Sequence, residues 1–450
     1  MLIRFVNHAS FVCEVGGVRI MCDPWLHGSA FNNGWDLVSD TRFSTADFSD
    51  VDFIWFSHEH PDHFSPPVLT GIPEPVRRRI QVLYKETTDK KVVRFCQMLG
   101  FPTRELRDGE PVDLGRGVTI QCRAVPLYDS WLLIRSPQFT ALNLNDVVIR
   151  GAAGLRRLKR EVGRVDVLFT QFNYAAWRGN REDTEMRVAD ARRKLDIMRR
   201  QIDVLEPRYT VPFASFSYFS HEENAFTNDA ANRPAAAVRA IEETSSRPVL
   251  LYPDDRWAVG SPHDNGSAET RYRADYDRIS TRPLRTARRV PLDDLKAAAH
   301  GYIARIVAEN DRRTLTMLRK APLLGLLKPI EIFLWDLGLT VRFSFDGGLE
   351  EVSARTSDYQ LSMGSDSLHF VFKHAWGIDT LTVNGRFAAD TRGLRRLVGT
   401  FGVDALNNAG VRLTPAIVLD YRTVSFLAKI VLQKLWSMRR QHRAALGDEL

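Results

Sequence analysis

The chain has 450 residues, 44% of them hydrophobic, an ordinary globular composition that can bury more than one core and favours two or three domains. No apolar stretch reaches the roughly 18 to 20 residues of a spanning helix, and no charged-then-apolar leader opens the chain; the cysteines at 13, 22, 96 and 122 are too scattered for a disulfide scaffold, so a soluble cytoplasmic protein with reduced, buried thiols is expected. The formal charge of +7 favours anionic partners, either phosphorylated or carboxylated metabolites or an anionic membrane surface, and no nucleic-acid motif accompanies it.

Residues 1 to 150 alternate short strands with turn signals at Gly16-Gly17, Asp108-Gly109 and Gly115-Arg116-Gly117. The run 51–56 has the length and the β-branched, aromatic content of a buried strand. Directly after it comes Ser57-His58-Glu59-His60-Pro61-Asp62-His63, where Pro61 bars the strand from continuing. Three imidazoles and two carboxylates in one turn read as a metal site. His58 and His60, two residues apart at a strand end, can converge on one ion, and Asp62 and His63, one turn on, can serve a second. Neutral imidazole suits zinc or iron, and a carboxylate hardens the site. The alternative is a His-rich surface turn, but with 11 His in 450 residues, three within six positions is improbable by chance.

Further strands are expected over 118–125 and 165–170, and a helix over 183–205, where Met186, Leu195, Met198, Ile202 and Leu205 fall near helical spacing before Pro207. Strands at 209–213 and 249–252 would close a second sheet. Residues 1–260 therefore read as a metal-binding α/β domain, two strand-rich halves with helices outside. Residues 261–290 are polar and Arg-rich, a linker or loose helix. From 291 to 450 a C-terminal α+β domain follows, with helices near 291–318, a strand over 339–345 and a Gly347-Gly348 turn. The apolar, basic segments 315–337 and 424–443 suit peripheral membrane contact or packing against the body; the latter places Phe426, Leu427, Ile430, Val431, Leu435 and Met438 beside Lys434 and Arg439.

The pattern His-x-His-x-Asp-His after an apolar strand resembles the signature of the metallo-β-lactamase fold superfamily. Asn7-His8-Ala9-Ser10-Phe11, the Gly16-Gly17 turn and the run 20–26 look like the first hairpin of that fold, and the run 23–35 is similar to the metallo-β-lactamase-like part of CMP-N-acetylneuraminate hydroxylases. The resemblance implies an αβ/βα sandwich and a dinuclear site. The stretch 359–387, with Val383-Asn384-Gly385-Arg386-Phe387, resembles a sterol-carrier-type module; a dimerisation appendage is the alternative.

The resemblance also assigns roles. Asp146 stands where the superfamily places its bridging Asp, although its Asn-Asp context also suits a turn. A third His is expected near 126–131 and is missing; Asp129 is there instead, either as an oxygen ligand that shifts preference toward iron or manganese or as a loop anchor. The last superfamily His is also missing, and His221, beside Glu222 and Glu223, either reaches the site from a loop or faces solvent. His8 and Asp23 lie beneath the metals and support the ligands, with a satisfied core histidine as the alternative for His8. His27 and Trp35, and Asn173 and Tyr174 at a strand end, line the substrate mouth or simply pack.

Two bridged metals activate a shared water, so the first expectation is a metal-dependent hydrolase of an anionic or nucleotide-linked small molecule. In it His58, His60, Asp62, His63 and Asp146 hold the ions, the bridging hydroxide attacks, and Asp62 also moves a proton. The second is a diiron oxygenase. The Cys-x-His and Cys-x-x-His pairs of an iron–sulfur domain do not occur in the sequence, so that reading calls for a separate redox partner. The third is a non-catalytic lipid- or partner-binding protein.

Overall fold

Two seven-stranded sheets face each other across the first hydrophobic core. The first sheet runs, edge to edge, Arg256–Ala258, Leu2–Asn7, Ser10–Val15, Val18–Cys22, Phe53–Phe56, Gln81–Lys85 and Thr103–Leu106. The second runs Arg247–Pro248, Tyr209–Pro212, Val167–Thr170, Thr140–Asn143, Ser130–Arg135, Val118–Ala124 and Pro111–Gly115. The computed structural model describes residues 1–125, 129–149, 151–320, 326–353 and 355–416.

Period-two alternation explains why these strands read as continuous apolar runs. Ile20, Cys22, Trp55 and Leu83 point into the core between the sheets, while Met21, Ile54, Phe56, Val82 and Tyr84 point outward, under the helices Pro66–Gly71 and Lys91–Met98. The sheets meet where Phe11 stacks on Phe169 with ring centroids 4.3 Å apart. The outer face of the second sheet is covered by Ala152–Val162, Thr184–Leu205 and Pro234–Glu242, whose Leu158, Met198, Ile202 and Ala237 join the same core. The result is the αβ/βα metallo-β-lactamase sandwich. All four cysteines are free and buried, and burial pushes the Cys13 and Cys96 thiols up to about 12.

Two sequence expectations change here. The strand expected over 249–252 does not form; Arg247–Pro248 makes the pairing, and the Leu250 N–H donates instead to Asn265 Oδ1 at 2.7 Å. That asparagine opens the helix Asn265–Asp277, so of the two options for this segment, a linker or a loose helix, the structure has the helix. Ala268, Tyr272 and Tyr276, spaced by four, sit in the first core, with Tyr272 stacked on Phe216 at 4.5 Å. Arg271 and Arg273 flank Tyr272 and, with the other polar residues of the helix, obscure its apolar stripe in the sequence.

A second core fills the C-terminal region, where a five-stranded sheet runs Gly348–Val352, Leu339–Ser344, Ile330–Leu334, Leu361–Met363 and Phe387–Ala389. The helices Leu292–Glu309, Ser365–Lys373 and Thr391–Asn408 pack Tyr302, Phe372 and Phe401 around Phe343. His369 lies in the middle helix and His374 at its end. No helix among the described residues is long and apolar enough to cross a membrane. The segment 424–443, expected to pack or to lie on a membrane, falls outside the described residues.

The two cores are joined through the loop 29–36. Asn384 Nδ2 donates to Phe31 O at 3.1 Å, and Arg386 Nη1 donates to Asn32 O at 2.8 Å. This loop carries three successive left-handed residues, Phe31, Asn32 and Asn33, with φ of 52°, 52° and 57°. Such a conformation costs free energy at Phe31 in particular, so the clamp from the C-terminal module supports the shape.

Candidate metal centre

The strand Phe53–Phe56 delivers the chain to the rim of the sandwich, where Ser57 is fixed on both sides. Its N–H donates to Asp23 Oδ1 at 2.8 Å, and its carbonyl accepts from Ser130 Oγ at 2.6 Å and Lys85 Nζ at 3.1 Å. The next residues close a tight turn in which His60 O accepts from the N–H groups of His63 (3.0 Å) and Phe64 (2.7 Å). Loops after the other strands reach the same rim. Asp146 follows Thr140–Asn143, Asn173 follows Val167–Thr170, and Ala214 follows Tyr209–Pro212, its N–H donating to His8 O at 2.9 Å. Four non-glycine residues here, His8, Asp23, Asn145 and Ala214, hold φ between 41° and 52°, a concentration of strain typical of functional rims.

Two groups of donors result. His8, Asp62 and His63 form one, and His58, His63 and Asp146 the other, with the ligand atoms of each group all within 4.8 Å of one another. Asp62 Oδ2 lies 3.4 Å from His8 Nε2 and 3.3 Å from His63 Nε2, and Asp146 Oδ2 lies 3.5 Å from His63 Nε2. His58 Nε2 is 2.9 Å from His60 Nδ1. Both ring nitrogens of His8, Nε2 of His63 and Oδ1 of Asp62 are buried without a hydrogen-bond partner. Burying so many unanswered polar atoms is costly unless a cation answers them, so the residues present fit metal ions.

Burial alone would raise the Asp62 carboxyl, but His63 and His8 against it hold it well below the usual carboxylate range. For His63, burial disfavours the charged form, yet Asp62 and Asp146 push it well above the usual imidazole range. Burial pushes His58 well down, and the neighbouring His63 and His60 act in the same sense. Asp129 Oδ1 lies 3.6 Å from His58 Nδ1, and its carboxyl is raised by desolvation and by the facing Asp146.

A second layer orients the donors. Asp23 Oδ2 lies 3.2 Å from His63 Nδ1 and also accepts from Asn145 Nδ2. Gln171 Nε2 donates to Asp146 O at 2.6 Å and its Oε1 accepts from Lys194 Nζ at 3.0 Å, where desolvation brings the ammonium down to about 8. Phe31 packs edge-on against the His60 ring at 5.5 Å, and Trp376 of the C-terminal module stands 6.5 Å from the same ring. Beside the donors is a cavity lined in part by His8, Asp62, Asp146, Trp35, Asn173 and Tyr174.

Residues 2–121 match the family model described as the beta-lactamase superfamily domain. This N-terminal stretch belongs to the beta-lactamase superfamily. Over 252 residues the chain is 27% identical to the "Putative Rieske 2Fe-2S iron-sulfur protein" of Mycolicibacterium smegmatis, a match covering 52% of this chain and 47% of that protein. It is also 30% identical over 99 residues to the cytidine monophosphate-N-acetylneuraminic acid hydroxylase of Danio rerio, covering 22% of this chain and 16% of the hydroxylase. The chain spans about half the length of the first curated relatives it matches. Among solved structures it is similar to the diiron β-hydroxylase CmlA from Streptomyces venezuelae, with a TM-score of 0.42, 19% identity and coverage of 57% of this chain and 53% of that one.

The structure brings together His58, His60, Asp62, His63 and Asp146, with Asp129 beside them and Asp23 behind. His8 was expected behind the donors or as a satisfied core residue; it stands among them instead, because the Asn7–Ser10 turn aims its Nε2 at Asp62. His221 belongs to neither donor group. It sits in the junction with the C-terminal module, where its Nδ1 accepts from Glu223 N at 3.1 Å and burial together with Arg386 lowers it to about 4. Glu223 is likewise engaged, accepting from Arg386 Nε at 2.6 Å and Trp335 Nε1 at 3.0 Å. His27 is exposed to solvent and lies outside the cavity, whereas Trp35, Asn173 and Tyr174 line it. Sequence reasoning missed Lys194 and Gln171, which no local motif marks and which only the packing of Thr184–Leu205 brings to Asp146.

Proposed function

We propose that the chain is a dinuclear-metal enzyme of the oxygen-activating class, a hydroxylase acting on an anionic small molecule. The observation that carries this reading is the oxygen-rich donor set, in which the carboxylates of Asp62, Asp146 and Asp129 gather around His58 and His63, a composition that suits iron or manganese better than zinc. The relatives named as hydroxylases support the same class. Ions bound by His8, His58, His60, Asp62, His63 and Asp146 would supply Lewis acidity and, in the case of iron, redox chemistry. The protein's own groups do the rest. Asp23 fixes the His63 ring, Phe31 and Trp376 confine His60, and the Lys194–Gln171 pair steadies the loop of Asp146 and brings positive charge toward an anionic substrate. Electrons would come from an iron–sulfur redox partner.

A hydrolase of an anionic or nucleotide-linked molecule is the second reading. It is favoured by Asp62, whose Oδ2 is shared by two imidazoles while Oδ1 stays unpartnered, a disposition suited to moving a proton. Metal analysis of protein produced without added zinc separates the two. Two irons per chain and an oxygen-dependent optical change support the hydroxylase; zinc or manganese with phosphoesterase activity supports the hydrolase and overturns the first reading. A chain that takes up no transition metal overturns both.

A further inference from the structure

Three cations gather at one buried carboxylate near the metal rim. Asp190, on the helix Thr184–Leu205, accepts from Arg178 Nε and Arg193 Nη2. Lys194, four residues on, bonds instead to the neutral Gln171 Oε1 at 3.0 Å, and Gln171 Nε2 donates to Asp146 O at 2.6 Å. Among the described residues no other carboxylate lies within ion-pair distance of Arg178, Arg193 or Lys194. Three cations against one carboxylate leave positive charge in surplus, one side chain away from a residue of the donor groups.

Two observations mark this surplus as a binding feature. Arg193 Nε is buried without a hydrogen-bond partner, a group that a packed structure normally answers. Desolvation, reinforced by Arg178 and Arg193 and opposed by Asp190 and Asp146, brings the Lys194 ammonium down to about 8. The cluster is also held in place. Arg178 Nη1 donates to Trp177 O at 2.8 Å, and the C-terminal module grips the chain on either side, through Thr382 O at Trp177 and Ala389 O at Asn180. Fixed guanidinium and ammonium groups suit an oxyanion, because little ordering remains to be done on binding. Solvent reaches both places. Arg193 keeps 37% of its side chain exposed and Asp146 22%, so nothing need pass through the small cavity beside His8.

Resting on the metal reading above, we propose that Arg178, Arg193 and Lys194 form an anion site that holds a phosphoryl or carboxylate substituent of the substrate while its reacting part lies at the metals beside Asp146. Substrates lacking such a group would meet the metals unanchored.

Calorimetry of inorganic phosphate and of malonate on the metal-free full chain reads the site by itself. Lys194→Met and Arg193→Gln should each weaken the tighter anion at least tenfold, on the order of 1.4 kcal/mol. Lys194→Arg and the exposed neighbouring change Arg192→Gln should leave it bound. The tighter of the two anions tells phosphoryl from carboxylate. No heat from either, or heat that Arg192→Gln lowers as far as Lys194→Met, overturns the site. The cobalt(II)-loaded chain, read by its visible bands, then tests the substrate role with ω-carboxy and ω-phosphono hydroxamates on graded methylene spacers. At least one is expected to bind tenfold more tightly than its uncharged counterpart, with the gain lost in Lys194→Met; a series without any gain overturns that role. Anion binding that depends on Lys194 in a chain that takes up no cobalt would sink the metal reading and keep the site. Cobalt uptake without anion binding would do the reverse.

Discussion

His63 Nδ1 and Asp23 Oδ2 lie 3.2 Å apart in a fully buried pair. The carboxylate can only accept, so Nδ1 keeps a proton and Nε2, which faces Asp62 and Asp146, is the nitrogen left to a metal ion in exchange for its proton. Asp23→Asn keeps the left-handed backbone, which asparagine tolerates, but weakens the tautomer lock. The expected outcome is a roughly 10- to 100-fold loss of metal affinity in chelator competition; unchanged affinity would show that Asp23 serves the fold alone.

Because His63 belongs to both donor groups and His8 to one, their removal should differ in stoichiometry. His63→Ala is expected to lose both ions and His8→Ala one, as counted by plasma mass spectrometry on folded protein. Equal losses in the two variants would contradict the division.

Arg386 is 1% exposed and holds Glu223, Asp366 and the Asn32 carbonyl together. Arg386→Met strands the buried Glu223 carboxylate, and denaturant unfolding should show a loss of about 3–5 kcal/mol. Adding Glu223→Gln should recover part of it. A double variant no better than the single would mean that packing, not charge, dominates.

Asp404 is buried beside Arg305 and Asp379, and burial carries its carboxyl up to about 7. In the folded chain it keeps its proton from about pH 4 to 7, where the unfolded chain has lost it. The folded state then binds more protons, so stability should fall as pH rises through that window and level off above it. Asp404→Asn should flatten the slope; thermal melts at pH 5 and pH 8 that move in parallel with the unsubstituted chain would refute this.

The strand Phe53–Phe56 and the donors after it were legible because both signals are local: a run buried on two faces, then ionisable residues confined to one turn. His8 was not, since its place depends on the first hairpin turn being laid against a rim built by four other strands. His221 misled for the opposite reason. Its acidic neighbours are close in sequence, but the partner of one of them, Glu223, is Arg386, 163 residues away. The helix Asn265–Asp277 was read only as the looser of two options because three apolar residues anchor it, two of them tyrosines, among polar and charged neighbours. Long-range juxtaposition, more than residue chemistry, separated what could be read from what could not.

Trp177 donates its backbone N–H to Thr382 O at 2.9 Å and stacks on Phe387 at 5.1 Å, while Asn180 exchanges two hydrogen bonds with the Ala389 backbone. The segment just past Asn173 and Tyr174 thus leans on the C-terminal sheet. A recombinant in which that sheet is swapped for a foreign one would forfeit those bonds and unsettle the adjoining cavity wall, so the two halves of this gene can diverge only in concert.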